Sequence, residues 1–335
     1  MQKRKLGFSD LYLTNIGLGT WAMGGGEWEW GWGPQQDQQS IATIDRALEM
    51  GINWLETAAA YGLGHAEEVI AKAIKGRHDD VIVATKFGLV WQEDGDGSVT
   101  GRLKADSVRK EAEASLRRLG VDVIDLYQMH WPDPDEDVEE GWGVVADLIK
   151  EGKVRYGGVA NFSVEQLKRI QPIHPVASLQ PEFNMLKPEA RQELFEYCVE
   201  NGIGIITYSP LRSGILVDQF DRERLDALAE NDWRRRDPDF QEPRASINVE
   251  FVGKLRAIAA REQRPVSQLA IAWVLAHEPV TAAIVGARKV SQIEKSAQAA
   301  DLELAPETLQ ELEELLAWRQ NELETAGVGT LGALR

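Results

Sequence analysis

The sequence feature that most restricts the fold is a repeated alternation between short apolar runs and longer segments with helical spacing of apolar residues. Eight such pairs follow one another along the 335 residues. Strands that alternate with helices form a parallel sheet, because each helix carries the chain back to the same edge. Eight units in a chain of this length predict an α/β fold, a closed (β/α)8 TIM barrel, rather than an open doubly wound sheet. The predicted pairs are 16–19 with 38–50, 53–57 with 64–75, 81–85 with 105–119, 123–127 with 138–150, 154–159 with 163–170, 177–180 with 188–200, 203–207 with 248–262 and 282–285 with 289–299.

Five segments lie outside this repeat. Residues 3–14 predict an N-terminal hairpin at the bottom of the barrel. Residues 265–276 and 306–323 have the spacing of two additional helices, the second of them C-terminal. The loop 211–247 is too long for an ordinary connection, and loops of this length are usually lids or disordered segments. The small, glycine-rich tail 325–335 is expected to be loose.

Composition and charge exclude several classes of function. The chain has 54 acidic and 37 basic residues, and its net charge of −17 would repel nucleic acids and anionic membrane surfaces. Its one cysteine, Cys198, excludes an internal disulfide. The basic N-terminus lacks the apolar core of a signal peptide, and the longest apolar run, 269–276, is far shorter than the roughly 18 residues of a membrane span. We therefore expect a cytoplasmic protein, and the absence of a linker predicts one domain over 1–335.

Titratable side chains stand where successive strands of the predicted barrel end. Glu56 ends the second strand, Lys86 the third and His130 follows the fourth, while Tyr61 lies on the small-residue loop after Glu56. The active site of such a barrel lies where the carboxyl ends of the strands meet the following loops. Each residue alone is also compatible with a structural role, but the fold predicts that they converge.

These four side chains suit the reduction of a carbonyl group. An ammonium group near Tyr61 would lower the pKa of the phenol, which could then donate a proton to a forming alkoxide. Glu56 would hold the Lys86 ammonium in place, and His130 would hydrogen-bond the carbonyl oxygen. The other half of such a reaction is a hydride from a bound cofactor.

The sequence does not predict a metal site. Its histidines show no short spacing to cysteine or carboxylate ligands at matching strand ends. The five histidines are His65, His78, His130, His174 and His277.

Eight short stretches resemble the aldo-keto reductase family, and together they extend over nearly all of residues 3–320. Each stretch is weak evidence alone, but eight in the right order are highly specific. Residues 91–95 and 130–134 resemble the bacterial branch of general-stress and polyol-related reductases. The eight stretches are 16–21, 56–62, 84–86, 125–132, 158–163, 179–180, 208–211 and 284–288.

The resemblance implies a Tyr-Lys-His-Asp tetrad and a nicotinamide cofactor lying across the barrel mouth, beneath the long loop. Tyr61 would be the proton donor, Lys86 its activator and His130 the group that orients the carbonyl. Arg288 would meet the adenosine 2′-phosphate, which favours NADPH over NADH. The implied cofactor-binding residues are Thr20, Trp21, Asn161 and Gln180 (the last two at the carboxamide), Tyr208 (stacked on the nicotinamide), Ser209, Pro210, Leu211, Ser213 and Gly214 (along the pyrophosphate), Gly286, Arg288 and Gln292.

The chain departs from the family pattern at three places. Glu56 stands where the family has Asp, which lengthens the tetrad carboxylate by one methylene. Ala160 replaces a Ser and removes one hydrogen bond to the carboxamide. Lys295 and Ser296 replace the Glu-Asn pair that usually contacts adenine.

Aromatic residues crowd the expected barrel mouth. We predict a substrate pocket of Trp21, Trp30, Trp32, Phe87 and Trp131, which would suit aromatic or medium-chain aldehydes and ketones. The alternative for Trp30 and Trp32 is that they pack the loop against the barrel. The expected partner is thus a small-molecule carbonyl compound, and the sequence leaves monomer and homo-oligomer open.

The sequence therefore predicts an NADPH-dependent carbonyl reductase. The alternative is a cofactor-binding sensor or partner module on the same barrel, as in the potassium-channel β subunits. The presence of Tyr61, Lys86 and His130 favours the enzyme. A metal-dependent hydrolase on this barrel is disfavoured, because the first strand lacks a histidine pair.

Overall fold

Eight parallel strands close into a barrel in the computed structural model, which describes residues 1–26, 28–92 and 95–329. The predicted (β/α)8 barrel is confirmed. The predicted tail lies outside the described residues from 330 onward. The barrel strands are β3 (Ile16–Gly19), β4 (Trp54–Glu56), β5 (Ile82–Phe87), β8 (Ile124–Met129), β9 (Val154–Ala160), β10 (Ser178–Gln180), β11 (Gly204–Thr207) and β12 (Val280–Gly286).

Helices surround the barrel at nearly the predicted positions. They bury one face against the strands, as the helix Ala105–Leu119 does with Val108, Ala112 and Leu119 before the chain turns at Gly120. The helices are α1 (Asp37–Glu49), α2 (His65–Ala73), α3 (Ala105–Leu119), α4 (Val138–Lys150), α5 (Val164–Ile170), α6 (Glu193–Glu200), α7 (Arg222–Asp226), α8 (Arg244–Arg261), α9 (Val266–Leu275), α10 (Val290–Ala297) and α11 (Pro306–Thr325). Among the described residues, none of the helices is both long and apolar enough to cross a membrane.

The bottom of the barrel is filled by side chains and covered by the predicted hairpin. Strands β1 (Lys3–Lys5) and β2 (Tyr12–Thr14) pair antiparallel. The fully buried ring of Trp54 lies where a side chain at Gly17 would be, and its indole N–H donates to the Thr14 carbonyl over 2.9 Å. Removing an aromatic side chain from such a core costs about 3–5 kcal/mol. The bottom is therefore a packed core, and the carboxyl ends of the strands remain for a site.

Two local predictions differ from the structure. Helix α6 begins at Glu193 instead of residue 188, because Gln192 has a non-helical backbone (φ −78°, ψ −125°). A small hairpin of β6 (Leu89–Val90) and β7 (Thr100–Gly101) was not predicted. It extends from the end of β5 and helps to form the wall of the barrel mouth.

The long loop is folded and anchored by buried charges. It contains α7 and three short 3₁₀ turns, and α8 begins at Arg244, four residues before its predicted start. The guanidinium of Arg212, at the start of the loop, donates to Asp239 over 2.8 Å and to Asp237 over 2.9 Å. All three side chains are buried. These ion pairs join the two ends of the loop and leave its middle over the barrel mouth.

Candidate active site

The structure brings the predicted carboxylate, ammonium and phenol into direct contact. The ammonium of Lys86 lies 3.0 Å from the Tyr61 hydroxyl and forms a short ion pair with Glu56. It also donates to the carbonyl of Thr57 over 3.0 Å. The Tyr61 hydroxyl lies 3.4 Å from a Glu56 carboxylate oxygen. The ring of His130 meets the ring of Tyr61 at 5.8 Å between centroids, in an edge-to-face arrangement.

A close backbone contact positions Tyr61. After β4 the chain passes through three buried alanines and turns at Gly62, which has a φ of +61°. A Cβ atom at Gly62 would lie 2.0 Å from the carbonyl oxygen of Gly24. Only glycine fits this turn. The loop after β3 and the loop after β4 are therefore packed together directly beside the phenol.

The pKa of Tyr61 lies well above its ordinary value, so the predicted lowering by Lys86 is wrong. Burial and then the neighbouring Glu56 carboxylate raise the pKa of the phenol. Burial lowers the pKa of Lys86, and Glu56 opposes this effect. The raised pKa keeps the phenol in its protonated form.

His130 is neutral. Burial, and next the charge of Lys86, hold the pKa of its imidazole well below the usual range. The backbone N–H of His130 donates to the Phe87 carbonyl over 3.0 Å, and the His130 carbonyl accepts from the Asn161 side-chain amide over 3.0 Å. A neutral imidazole has one N–H donor and one acceptor nitrogen. His130 can therefore donate a hydrogen bond to an oxygen atom beside Tyr61.

A cavity of about 1560 Å³ connects this group with the long loop. Most of the predicted site residues line it, and Lys86 lies just beneath Tyr61. The predicted residues in its wall are Trp21, Trp30, Trp32, Glu56, Tyr61, His130, Trp131, Asn161, Gln180, Tyr208, Ser209, Pro210, Leu211, Ser213, Gly214, Gly286, Arg288 and Gln292.

Besides Lys86, two predicted site residues lie outside the wall of this cavity. Phe87 is 1% exposed and packs on Tyr127 at 4.7 Å, between the barrel and the helices. Neighbouring strand residues face opposite sides, so Phe87 points outward because Lys86 points inward. Thr20 is fully buried at the end of β3.

Polar groups along one side of the cavity fit an amide and a phosphate. The Tyr208 hydroxyl donates to the Asn161 side-chain oxygen over 2.8 Å. The Gln180 amide nitrogen and the Ser213 hydroxyl are buried and have no hydrogen-bond partner among the described residues. Buried polar groups are normally paired, so these two match a ligand that brings its own polar atoms. A nicotinamide dinucleotide, with a carboxamide and phosphates, is such a ligand.

Four tryptophans form an aromatic box beside Tyr61. Trp233 lies between Trp21 (5.3 Å between ring centroids), Trp32 (5.4 Å) and Trp30 (6.0 Å). Trp21 in turn stacks on Tyr61 at 6.4 Å. Trp233 was not predicted as a site residue, because it lies on the long loop, where no periodic pattern of apolar residues indicates which side chains face the cavity. The sequence feature that could have identified it is a tryptophan directly followed by three arginines, residues 234–236, in an otherwise polar loop.

Arg288 contacts the segment that follows the first strand. Its guanidinium donates to Gln35 over 3.0 Å, to the Trp32 carbonyl over 2.8 Å and to the Pro34 carbonyl. A guanidinium has five N–H groups, so two remain for a ligand. Gln292 accepts from the Arg288 backbone N–H over 2.7 Å.

The described residues contain no group of three histidine, cysteine or carboxylate side chains that could hold a metal ion.

Comparison with known proteins shows the family. Residues 15–317 match the model of the aldo/keto reductase family. The aldo-keto reductase YhdN of Bacillus subtilis is 37% identical over 297 residues, which cover 88% of this chain and 87% of that protein. The NADH-specific methylglyoxal reductase of Escherichia coli is 31% identical over 91% of this chain and 95% of its own length.

Solved structures agree with this likeness. The glycerol dehydrogenase of Gluconobacter oxydans superposes with a TM-score of 0.86 and is 32% identical, covering 95% of this chain and 96% of that one. The holo form of an aldo-keto reductase of Bacillus halodurans has a TM-score of 0.78 and 28% identity, covering 94% and 96%.

Proposed function

The chain belongs to the aldo/keto reductase family, and from that premise we propose that it reduces aldehydes and ketones to alcohols with NADPH. The observation that carries this proposal is the contact of Tyr61 with both Lys86 and Glu56 at the wall of the cavity. The reaction is reversible, so the same residues would oxidise an alcohol.

The side chains divide the proton chemistry among them. The nicotinamide cofactor, when bound, supplies the hydride. Neutral His130 donates a hydrogen bond that orients the carbonyl oxygen, and Tyr61 donates its proton to that oxygen as negative charge develops there. Lys86, 3.0 Å away, stabilises the resulting phenolate. Glu56 keeps the ammonium charged and in place, and its longer side chain still reaches Lys86.

The proposed cofactor-binding residues are those of the polar side of the cavity. Asn161 and Gln180 hold the carboxamide, Tyr208 lies against the nicotinamide ring, and Ser213 and Gly214 follow the pyrophosphate. The preference for NADPH rests on the two N–H groups of Arg288 that remain for a phosphate. One relative is NADH-specific by its name, so this preference depends on the chain's own residues and not on the family.

The proposed substrates are aromatic or medium-chain carbonyl compounds, because the aromatic box lies beside Tyr61. Two similar proteins are named for smaller compounds, methylglyoxal and glycerol. An assay with benzaldehyde derivatives beside methylglyoxal compares the two substrate classes directly.

The test is the loss of NADPH absorbance with a reactive aromatic aldehyde, for the wild type and Tyr61→Phe. We expect turnover to fall roughly 10²–10⁴-fold in the variant, the usual contribution of a general acid. Tyr12→Phe is the matched control, because Tyr12 is exposed at the barrel bottom. NADPH that binds to both proteins but is oxidised by neither would overturn the reductase proposal.

A further inference from the structure

A buried carboxylate, Glu67 on α2, lies behind the strand that carries Lys86 and outside the cavity wall. It accepts a hydrogen bond from the Thr85 hydroxyl over 2.6 Å and another from the Arg118 side chain over 2.7 Å. Thr85 precedes Lys86 on β5, and neighbouring strand residues face opposite sides. Glu67 therefore holds the outer face of the strand whose inner face carries the ammonium.

Arg118 joins this carboxylate to the loop of Tyr61. Its guanidinium, on α3, forms an ion pair with Glu67. Gly64, just before α2, has a φ of +103°, and a Cβ atom built there would lie 2.8 Å from Cδ of Arg118. The chain between Tyr61 and α2 thus lies directly against the side chain of Arg118. Glu67 and Arg118 together connect the loop of Tyr61 with the strand of Lys86.

The charge of Glu67 also acts on the ammonium. Burial lowers the pKa of Lys86, whereas the charges of Glu56 and then Glu67 raise it. The other titratable groups that face this ammonium are Tyr61, after β4, and His130, after β8. Glu67 thus supplies a second negative charge, from the side of the helices.

The surroundings of Glu67 are themselves charged. Behind the barrel strands, the phenol of Tyr127 on β8 lies within reach of the charges of Glu111, Glu67 and Arg118. Arg118 is the group among them that pairs with Glu67. Any test of Glu67 must therefore compare it with an acidic residue of α2 outside this group.

We propose that Glu67 is a positioning residue for the contact between Lys86 and Tyr61. It fixes Lys86 through Thr85, and it fixes the loop of Tyr61 through Arg118, so that the ammonium stays 3.0 Å from the phenol. This inference rests on the proposed function, because the proposed reduction assigns proton transfer to that contact. The competing role is purely structural, with an ion pair that only packs α2 on α3.

The test measures kcat and KM for an aromatic aldehyde, the Kd of NADPH and the free energy of unfolding. The variants are Glu67→Gln, which removes the charge, and Thr85→Val, which removes the hydroxyl and keeps the shape of the side chain. Each is also made together with Lys86→Met. Glu68→Gln is the matched control, because Glu68 is the next residue of the same helix and is exposed, 3.9 Å from the ring of His65.

We expect kcat to fall about tenfold in Glu67→Gln and in Thr85→Val, as for a lost hydrogen bond to a charged group. KM and the Kd of NADPH should stay within about twofold of the wild type, because the cavity wall is unchanged. In the Lys86→Met background the same changes should alter the remaining kcat less than about twofold, because the group that they position is gone. Thr85→Ser, which keeps the hydroxyl, should recover most of the kcat.

Two kinetic results would overturn the inference. A fall in kcat by the same factor with and without Lys86 would show that the ion pair supports the fold in general. A loss of unfolding free energy in Glu67→Gln with an unchanged kcat would show that Glu67 only packs the helices.

A measurement without turnover keeps this inference separate from the proposed function. The titration of Lys86 can be followed by NMR in protein with isotope-labelled lysine, with its signal assigned by comparison with Lys86→Met. Its midpoint should be lower in Glu67→Gln than in the wild type and unchanged in Glu68→Gln. An unchanged midpoint in Glu67→Gln would overturn the inference, whereas a lowered midpoint in a protein that reduces no aldehyde would contradict only the proposed function.

Discussion

The two ends of the cavity are built differently. The proposed catalytic end, with Glu56, Tyr61, Lys86 and His130, lies on strand ends and short loops, and its ion pair is almost inaccessible, with Lys86 1% and Glu56 3% exposed. The loop end, where Arg224, Arg234 and Arg288 line the cavity, lies at a rim where its cations are partly exposed. Proton transfer needs fixed distances, whereas a binding site must admit and release its ligand. Rigid strand ends therefore suit proton transfer, and a partly exposed rim suits ligand binding and release.

The largest expected effect separates the two ends directly. In Lys86→Met the phenolate of Tyr61 loses its neighbouring cation, and turnover should fall roughly 10²–10⁴-fold. The Kd of the dinucleotide should change less than about threefold, because the loop end is untouched. Steady-state kinetics and calorimetry measure the two quantities. Lys72→Met, at an exposed lysine, is the control.

The stability of the Lys86→Met variant is a second measurement, because it depends on Glu56. Removing Lys86 leaves a buried carboxylate without its ion pair, which costs about 3–5 kcal/mol of unfolding free energy. The double variant Lys86→Met/Glu56→Gln should recover part of the stability but none of the turnover. Recovery of turnover would show that the ammonium acts only by neutralising Glu56.

The next effect tests the anchor of the loop end. Arg212→Met leaves Asp237 buried without its cation, at a cost of about 3–5 kcal/mol, while Asp239 keeps only its longer contacts with Arg244 and Arg319. We expect faster proteolytic cleavage between residues 215 and 240 and weaker dinucleotide binding. Arg222→Met, at an exposed arginine of the same loop, should be cleaved at the wild-type rate. A loop that resists protease in Arg212→Met would mean that the ion pairs do not hold it.

A smaller effect concerns the pH dependence of stability at Glu111, on helix α3 behind the barrel strands. Glu111 accepts hydrogen bonds from the backbone of Gly88, over 2.8 Å, and from Ser107, over 3.0 Å, and burial raises its pKa from 4.5 to about 7. A raised carboxyl pKa stabilises the fold fully below pH 4.5, and this stability is lost as pH rises through about 7.

Urea unfolding of the wild type and Glu111→Gln, measured from pH 5 to pH 8, tests this expectation. The stability of the wild type relative to the variant should fall with rising pH, by up to roughly 2–3 kcal/mol. A difference that stays constant over this range would contradict the raised pKa of Glu111.

The smallest effect lies where the two ends meet. Trp233→Ala opens the aromatic box, and the KM of an aromatic aldehyde should rise up to about tenfold, since an aromatic pair contributes about 0.5–1.5 kcal/mol. The kcat should change less, because Tyr61 and Lys86 keep their contact. Trp233→Phe, which retains an aromatic face, should lie between the two. An unchanged KM would mean that the box only packs the loop.

The difference between strand ends and the long loop also explains which site residues could be predicted from the sequence. Glu56, Lys86 and His130 were identifiable because parallel strands end at one rim of a barrel. Phe87 was placed in the pocket wrongly, because its position after Lys86 was used without the alternation of strand side chains.

Two features of the site, the pKa of Tyr61 and the position of Trp233, could not be predicted from the sequence. The direction of the Tyr61 pKa depends on burial and on distances to two opposite charges, which spacing along the chain does not give. Trp233 could not be placed, because the long loop is held by ion pairs between residues far apart, and not by a repeating pattern.

The packed bottom of the barrel has a kinetic consequence. With Trp54 and the hairpin filling that end, reactants reach Tyr61 from the side of the loops. The dinucleotide and the carbonyl compound of the proposed function would then both enter from this side. The one that lies deeper enters first and leaves last, so the enzyme should follow a compulsory order, visible as competitive inhibition by one product against only one substrate.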